Sequence, residues 1–145
     1  IVRSLNTFLS RGGFMMTSNY EERVRLSQTR VTKAVFPNTT NHYDTLFGGT
    51  AMQWMDEVAF IAATRFTRMK VVTVSSDRLD FKKAIPEGSI VELVGSVTRV
   101  GKSSLEIQVQ VFLEMMLEDS RELALEGTFT FVALGEDKKP VKISI

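Results

Sequence analysis

The segment formed by residues 49–68 constrains the fold of this chain more than any other. At about 100° per residue, its polar side chains fall on a narrow stripe, and apolar side chains cover most of the remaining circumference. A helix that is apolar over so much of its surface must be buried by more than one neighbouring surface. The sequence therefore predicts a central helix that the rest of the domain encloses.

Strand patterns dominate the second half of the chain. In residues 105–114 the odd positions are all apolar, and the even positions are polar apart from Phe112. The same two-residue period recurs over 122–131, the segments 71–82 and 90–100 are also predicted strands, and 24–36 is a less regular first strand. One-sided alternation is typical of an antiparallel sheet with one covered face. This order predicts an α+β fold, and because one helix covers only part of such a sheet, we expect an oligomer.

The composition excludes several kinds of site and partner. The absence of cysteine excludes disulfides, a thiol nucleophile and thiolate metal ligands, and a single histidine, His42, argues against a histidine metal centre. A net charge of +1 argues against a nucleic-acid partner. No apolar run reaches the ~18 residues of a membrane-spanning helix. We therefore expect no metal, no cofactor, no nucleic-acid partner and no membrane association.

A domain boundary is expected near the amino terminus. Residues 17–145 are long enough for one domain with its own core. Residues 1–16 are expected to be a natural extension or an added segment, because Met15 and Met16 can serve as starts. The preceding residues lack the apolar stretch of a secretory signal. The absence of cysteine is compatible with a reducing compartment, and we expect a cytoplasmic location.

The candidate chemistry centres on residues 37–57. A polar loop leads to Gly48 and Gly49, which open the predicted helix, and Asp56 follows two turns later. Amides at a helix start can hold a developing oxyanion, and glycines leave room for a ligand to reach them. Asp56 lies off the polar stripe among apolar neighbours, where a carboxylate tends to have a raised pKa and can act as a general base or nucleophile. The alternatives are a structural pair between Asp56 and Arg or Lys, and a glycine pair that only permits close packing.

Five short elements give the chain a resemblance to a known family. They are NHYDTLFGG at 41–49, WMDE at 54–57, VTV at 72–74, DFK at 80–82 and VGKSS at 100–104. In this order and spacing the chain resembles the hotdog-fold acyl-CoA thioesterases, in the branch that includes broad-specificity bacterial and brain-type cytosolic acyl-CoA hydrolases. The resemblance covers residues 24–132 and implies one long central helix wrapped by an antiparallel sheet of five to six strands.

The resemblance implies hydrolysis of acyl-CoA thioesters to free fatty acid and coenzyme A at a dimer interface. Asp56 would activate water or attack the thioester carbonyl, with Asn41 facing it from the partner subunit. Gly48 and Gly49 would hold the carbonyl oxygen. The residues implied for coenzyme A binding are Thr73, Ser75, Arg78, Lys82, Gly101, Lys102, Ser103 and Ser104. A homodimer would be the minimal active unit, and a trimer of dimers, a hexamer, is expected.

Asp44 departs from the family pattern, which commonly has glycine at this position. Because aspartate tolerates a left-handed backbone better than most residues, we expect the turn to survive. Two other functions remain open. One is a non-catalytic acyl-CoA binding or sensor module, and the other is a hotdog hydratase or dehydratase, for which His42 would be the one available histidine.

Overall fold

The computed structural model describes residues 19–145, which contain two α-helices and five β-strands. The predicted extension, residues 1–16, lies outside the described residues. The helices are α1 (Asn19–Ser27) and α2 (Gly48–Thr67), and the strands are β1 (Thr29–Ala34), β2 (Lys70–Phe81), β3 (Ser89–Val100), β4 (Ser104–Met115) and β5 (Glu122–Leu134). A short 3-10 helix, Pro37–Thr39, lies in the loop before α2.

The described strands form one antiparallel sheet in the order β1-β3-β4-β5-β2, and α2 contacts all of them. In β4 the alternation of the sequence becomes an alternation of burial, with Ile107 and Val109 fully buried and Glu106 and Gln108 partly exposed. The predicted α+β class and the hotdog architecture, with a central helix wrapped by the sheet, are confirmed. The sheet has five strands, at the lower end of the predicted range.

The central helix α2 is buried as its apolar circumference predicts. Met55, Ala59 and Ala63 are each 0% exposed. The helix lies so close to β3 that a Cβ atom at Gly95 would be 2.9 Å from Cγ1 of Val58, so glycine is needed there. The bounds of α2 differ from the predicted 49–68 by one residue at each end. Within residues 19–145, no helix is long and apolar enough to cross a membrane.

The predicted strand over 24–36 is wrong in its first part. Asn19–Ser27 is helical, and β1 covers Thr29–Ala34. The end of α2 holds the first helix in place: the Arg23 guanidinium lies 4.7 Å from the Phe66 ring centroid and donates a hydrogen bond to the Phe66 carbonyl at 2.5 Å. These contacts with residues 43 positions away carry no signal in the local hydrophobic pattern, so periodicity alone could not show the helix.

The strand β2 lies at an edge of the sheet, where β5 is its one hydrogen-bonded neighbour among the described strands. Val72 and Val74 are 41% and 54% exposed, and Phe60 on α2 is 47% exposed. A long edge strand with apolar side chains is normally covered or paired, because its free backbone groups can bind another strand. This edge can therefore pair with a strand of a neighbouring molecule.

Candidate functional site

Asp56 lies on α2 and faces the edge strand. The Thr73 hydroxyl of β2 donates a hydrogen bond to Asp56 Oδ1 at 2.8 Å. The carboxylate is half-buried, whereas Glu57 is exposed. Among the ion pairs within residues 19–145, none includes Asp56, so the alternative of a structural Arg or Lys pair has no support there. Thr73 is a polar neighbour that the helical wheel of Asp56 does not reveal.

The glycine pair forms the amino-terminal turn of α2. The first helical hydrogen bond runs from the Ala51 amide to the Phe47 carbonyl at 3.0 Å. The amides of Gly48 and Gly49 therefore come before the i to i−4 hydrogen bonds of the helix. A Cβ atom at Gly48 would meet nothing within 4 Å, whereas one at Gly49 would lie 3.0 Å from the Phe47 ring. The Gly48 backbone is therefore open to an approaching group.

Asn41 is locked into its loop through one side-chain atom. Asn41 Oδ1 accepts hydrogen bonds from the Tyr43 amide at 2.9 Å, the Thr45 amide at 3.3 Å and the Thr45 hydroxyl at 3.2 Å. Asp44 adopts φ 60°, and its amide donates to the Asn41 carbonyl at 3.0 Å. The turn thus forms with aspartate at the position where relatives commonly have glycine. The side-chain nitrogen of Asn41, Nδ2, is therefore the group that can donate a hydrogen bond to a ligand.

The candidate catalytic residues fall into two groups within one chain. Asn41, Gly48 and Gly49 lie at the amino end of α2, and the backbone amide of Phe47 ties the loop to Thr39 at 2.9 Å. Asp56 lies eight residues further along the helix, which is about 12 Å at 1.5 Å per residue. One thioester carbonyl cannot contact both groups of the same chain.

The coenzyme A candidates on β2 and directly after it differ in their availability. Ser75 and Arg78 are exposed, and Arg78 adopts φ 52° at an irregularity of the strand. Lys82 pairs with Asp80 at 2.7 Å and with Glu126 at 3.8 Å. The hydrogen bond from Lys82 to Asp80, followed by the charge of Asp80, raises the pKa of Lys82. The Lys82 ammonium therefore lies between two carboxylates and is still exposed to solvent.

Residues 101–103 connect β3 to β4 in a tight turn. The Gly101 amide donates to the Ser104 carbonyl at 2.7 Å, and the Lys102 carbonyl accepts from the Ile143 amide at 2.8 Å. Ser104 pairs with Val132, which pairs with Val72 on β2. Ser104 and Val72 are therefore two strand spacings apart, which is about 10 Å. The exposed Lys102 side chain, which has no ion pair within residues 19–145, therefore lies at the same end of the sheet as Thr73.

The remaining titratable candidate is His42. Its side chain is exposed, and its ring centroid lies 4.0 Å from that of Tyr43. No group of three or more His, Asp or Glu side chains in residues 19–145 is placed to hold a metal ion.

A family model decides the classification of the chain. Residues 43–118 match the model described as the thioesterase superfamily, which covers more than half of the sequence. The chain belongs to the thioesterase superfamily. The matched region of this superfamily member contains the amino end of α2, Asp56 and Thr73.

Two curated relatives of this thioesterase-superfamily chain are named as hydrolases. The uncharacterized acyl-CoA thioester hydrolase YkhA of Bacillus subtilis is 45% identical over 112 residues, which cover 77% of this chain and 65% of the relative. The cytosolic acyl coenzyme A thioester hydrolase of Rattus norvegicus is 32% identical over 122 residues, which cover 83% of this chain and 32% of the relative. The matched part of the chain thus spans less than two thirds of either relative.

Solved structures share the fold of this thioesterase-superfamily chain. An acyl-CoA hydrolase from Staphylococcus aureus, in complex with butyryl coenzyme A, coenzyme A and coenzyme A disulfide, has a TM-score of 0.79 and 38% identity, covering 83% of this chain and 73% of that one. An apo-hexameric acyl-CoA thioesterase has a TM-score of 0.80 and 38% identity, covering 83% and 77%.

Alanine variants of the Staphylococcus aureus hydrolase have also been solved. One replaces an asparagine, one an aspartate and one a threonine, at positions separated by 15 and 17 residues. Asn41, Asp56 and Thr73 are separated by the same two intervals. Asp56 and, through the family resemblance, Asn41 are the predicted catalytic residues, and Thr73 remains a predicted coenzyme A contact. The sequence did not indicate the hydrogen bond between Thr73 and Asp56.

Proposed function

We propose that the chain hydrolyses acyl-CoA thioesters, releasing a carboxylic acid and free coenzyme A. The observation that carries the proposal is the half-buried Asp56 carboxylate held by the Thr73 hydroxyl at 2.8 Å. The hydrolase names of the relatives and the matching intervals in the Staphylococcus aureus enzyme support it.

Asp56 can act in two ways, as a general base or as a nucleophile. As a general base, it takes a proton from a water molecule, whose oxygen attacks the thioester carbonyl. As a nucleophile, it forms a mixed anhydride that water then cleaves. In both, the carbon–sulfur bond breaks and coenzyme A leaves as the thiolate. Within residues 19–145, the one side-chain hydrogen bond to Asp56 is that of Thr73 to Oδ1, so Oδ2 is the oxygen available for either role.

The negative charge that develops on the carbonyl oxygen needs hydrogen-bond donors. The amides of Gly48 and Gly49 supply them at the positive end of the α2 dipole. The Asn41 amide nitrogen is a further donor, because its side-chain oxygen is already occupied by three donors in the loop.

The separation of the two groups along α2 supports a site shared by two subunits. Since Asp56 lies about 12 Å from Gly48 of its own chain, the carbonyl would contact Asp56 of one subunit and the glycine pair and Asn41 of the other. The exposed β2 edge with Val72 and Val74 is the surface for this homodimer. Three such dimers would give a hexamer, the assembly named for one of the similar structures.

Coenzyme A would extend from Asp56 and Thr73 towards the turn between β3 and β4. Lys102 is the strongest candidate for a phosphate contact, because it is exposed and has no ion pair within the described chain, whereas Lys82 pairs with Asp80. Ser75, Arg78 and the turn residues Gly101, Ser103 and Ser104 remain proposed contacts. No cofactor is needed for the reaction, and the cytosolic rat relative favours a cytoplasmic location.

The direct test is thiol release from butyryl-CoA and palmitoyl-CoA, measured with a thiol-trapping reagent and without added metal. We expect turnover with at least one of the two substrates, and loss of turnover when the oligomer is dissociated. Tight binding by an intact oligomer without thiol release would favour the sensor alternative. Hydration of an enoyl-CoA that is lost in His42→Ala would favour the hydratase alternative.

The variant Gly48→Ala tests the carbonyl-binding role of the helix start. The added methyl group meets no atom within 4 Å, and alanine stabilises a helix relative to glycine by up to about 1 kcal/mol, so folding should be unaffected. The methyl group would occupy the space through which the carbonyl approaches. We expect kcat/KM to fall by about 100-fold, the scale of losing one oxyanion donor.

Thermal unfolding and steady-state kinetics of Gly48→Ala should be measured beside Gln53→Ala, which changes an exposed residue further along α2. Wild-type kinetics in Gly48→Ala would show that this backbone does not contact the substrate.

A further inference from the structure

Residues 141–144 lie against the turn between β3 and β4. The Ile143 amide donates a hydrogen bond to the Lys102 carbonyl at 2.8 Å. On β5, the Ala133 amide donates to the Ser103 carbonyl at 2.9 Å. The backbone of the turn that carries Lys102 is therefore held both by β5 and by residues 141–144.

Residues 141–144 are themselves fixed at two points. The Ile143 side chain is 3% exposed and belongs to the hydrophobic core. The Arg23 guanidinium donates one hydrogen bond to the Ser144 carbonyl at 2.8 Å and another to the Phe66 carbonyl near the end of α2. Because a packed side chain and a planar guanidinium with two partners leave the backbone little freedom, the neighbouring turn is linked to the core and to α2.

Lys142 directly precedes Ile143, and its side chain is exposed. Since Ile143 contacts the Lys102 backbone, Lys142 and Lys102 are neighbours in space although 40 positions separate them in the sequence. Neither lysine has an ion pair within residues 19–145. Two neighbouring ammonium groups repel each other, and an anion bound between them is attracted by both.

We propose that residues 141–144 form part of the site for the phosphates of coenzyme A, with Ile143 positioning Lys102 and Lys142 adding a second ammonium group. The inference rests on the proposed hydrolase function and on the phosphate contact proposed for Lys102. Lysine binds phosphate as a point charge on a flexible stem. A fixed backbone under Lys102 and a second cation beside it therefore both strengthen the binding.

The test compares butyryl-CoA with butyryl-pantetheine, which contains the same thioester and lacks the phosphates. Lys142→Ala should lower the ratio of the two kcat/KM values about fivefold, the upper end of what one exposed charge pair contributes. The dissociation constant of coenzyme A, measured by titration calorimetry, should rise by a similar factor. Both effects should shrink at high salt, because exposed charges are screened.

The matched control is Lys139→Ala. Lys139 is exposed and has no ion pair within the described chain, and it lies three residues, about 10 Å of extended backbone, before Lys142. Lys139→Ala removes the same charge from the same part of the chain and should leave the ratio and the dissociation constant unchanged.

Ile143→Ala tests the positioning role. It should lower the same ratio at least threefold in the wild-type background and leave it unchanged in the Lys102→Ala background, because Ile143 acts through Lys102. A loss of stability alone would affect both substrates alike and would not depend on Lys102. Since Ile143 is buried and the variant can fail to fold, Arg23→Gln removes the contact with Ser144 from a residue that is only partly buried.

The outcomes separate this proposal from the function on which it rests. A change of less than twofold in Lys142→Ala overturns the proposal, and so does an equal loss with both substrates. The same loss in Lys139→Ala would show general attraction by a basic surface and would also overturn it. If the wild-type protein releases no thiol from butyryl-CoA, the hydrolase function fails, whereas the dissociation constants of coenzyme A for Lys142→Ala and Lys139→Ala still decide this proposal.

Discussion

Replacing Asp56 with alanine is expected to lower kcat by about 100- to 10,000-fold, the range for losing a positioned acid–base group. Asp56→Asn should lose as much, because the amide keeps the shape of the side chain but can neither take the proton from water nor attack the carbonyl. The variants should still assemble. Within the described part of the chain, the carboxylate accepts one side-chain hydrogen bond, from an exposed threonine, and its loss costs only about 1 kcal/mol of stability.

The matched control for Asp56 is its neighbour Glu57, which is exposed on the same helix. Glu57→Gln should keep wild-type kcat. Single-turnover kinetics, the oligomeric state in solution and coenzyme A binding should be measured for all variants. If Asp56→Asn loses its assembly together with its activity, the carboxylate is structural. If Asp56→Asn retains more than one tenth of the wild-type kcat, Asp56 is not the catalytic base or nucleophile.

Asn41→Asp is expected to lower kcat/KM by about 100- to 1,000-fold, the scale of losing one donor to an oxyanion. The physical reason is that the two ends of the Asn41 side chain have different partners. Its oxygen accepts the Tyr43 and Thr45 hydrogen bonds, which a carboxylate oxygen can also accept. Its nitrogen, the donor available to the substrate, would become an anionic oxygen close to the developing negative charge.

Comparison of three variants isolates the donor from the loop. Asn41→Ala removes both functions and should also lower the thermal unfolding temperature, whereas Asn41→Asp should unfold near the wild-type temperature. Asn38→Asp introduces the same charge at an exposed position of the neighbouring 3-10 helix and should leave kinetics unchanged. Near wild-type kinetics in Asn41→Asp would show that Asn41 only shapes the loop.

The elements that were predicted well are those whose burial follows from their own period. Because α2 is enclosed by the sheet, its apolar circumference predicted its bounds to within one residue at each end. Because β4 is covered on one face, its alternation of apolar and polar residues also predicted the strand. The α1 helix was missed, since what holds it, the contacts of Arg23 with Phe66, joins residues distant in sequence.

The residues of the candidate site also differ in whether the sequence alone could indicate their roles. Asp56 was identified as a carboxylate out of place on an apolar helix, and Gly48 and Gly49 as a helix start open to a ligand. Thr73 was assigned to coenzyme A through the family resemblance, and nothing in its own segment connects it with Asp56. The hydrogen bonds that hold the Asn41 side chain could not be predicted either, because Thr45 is one of many threonines in polar loops.

The sequence by itself determined the fold class, the central helix and the residue types that can perform the chemistry, because periodicity records which face of each element is buried. Only the tertiary structure decided which of these residues act together. Packing α2 against the edge strand brings Thr73 to Asp56 across 17 positions. The rise of the helix keeps Asp56 away from Gly48 of its own chain, and β2 remains unpaired on one side among the described strands. The physical reason is that such relations depend on distances between elements, which the pattern within any single element does not contain.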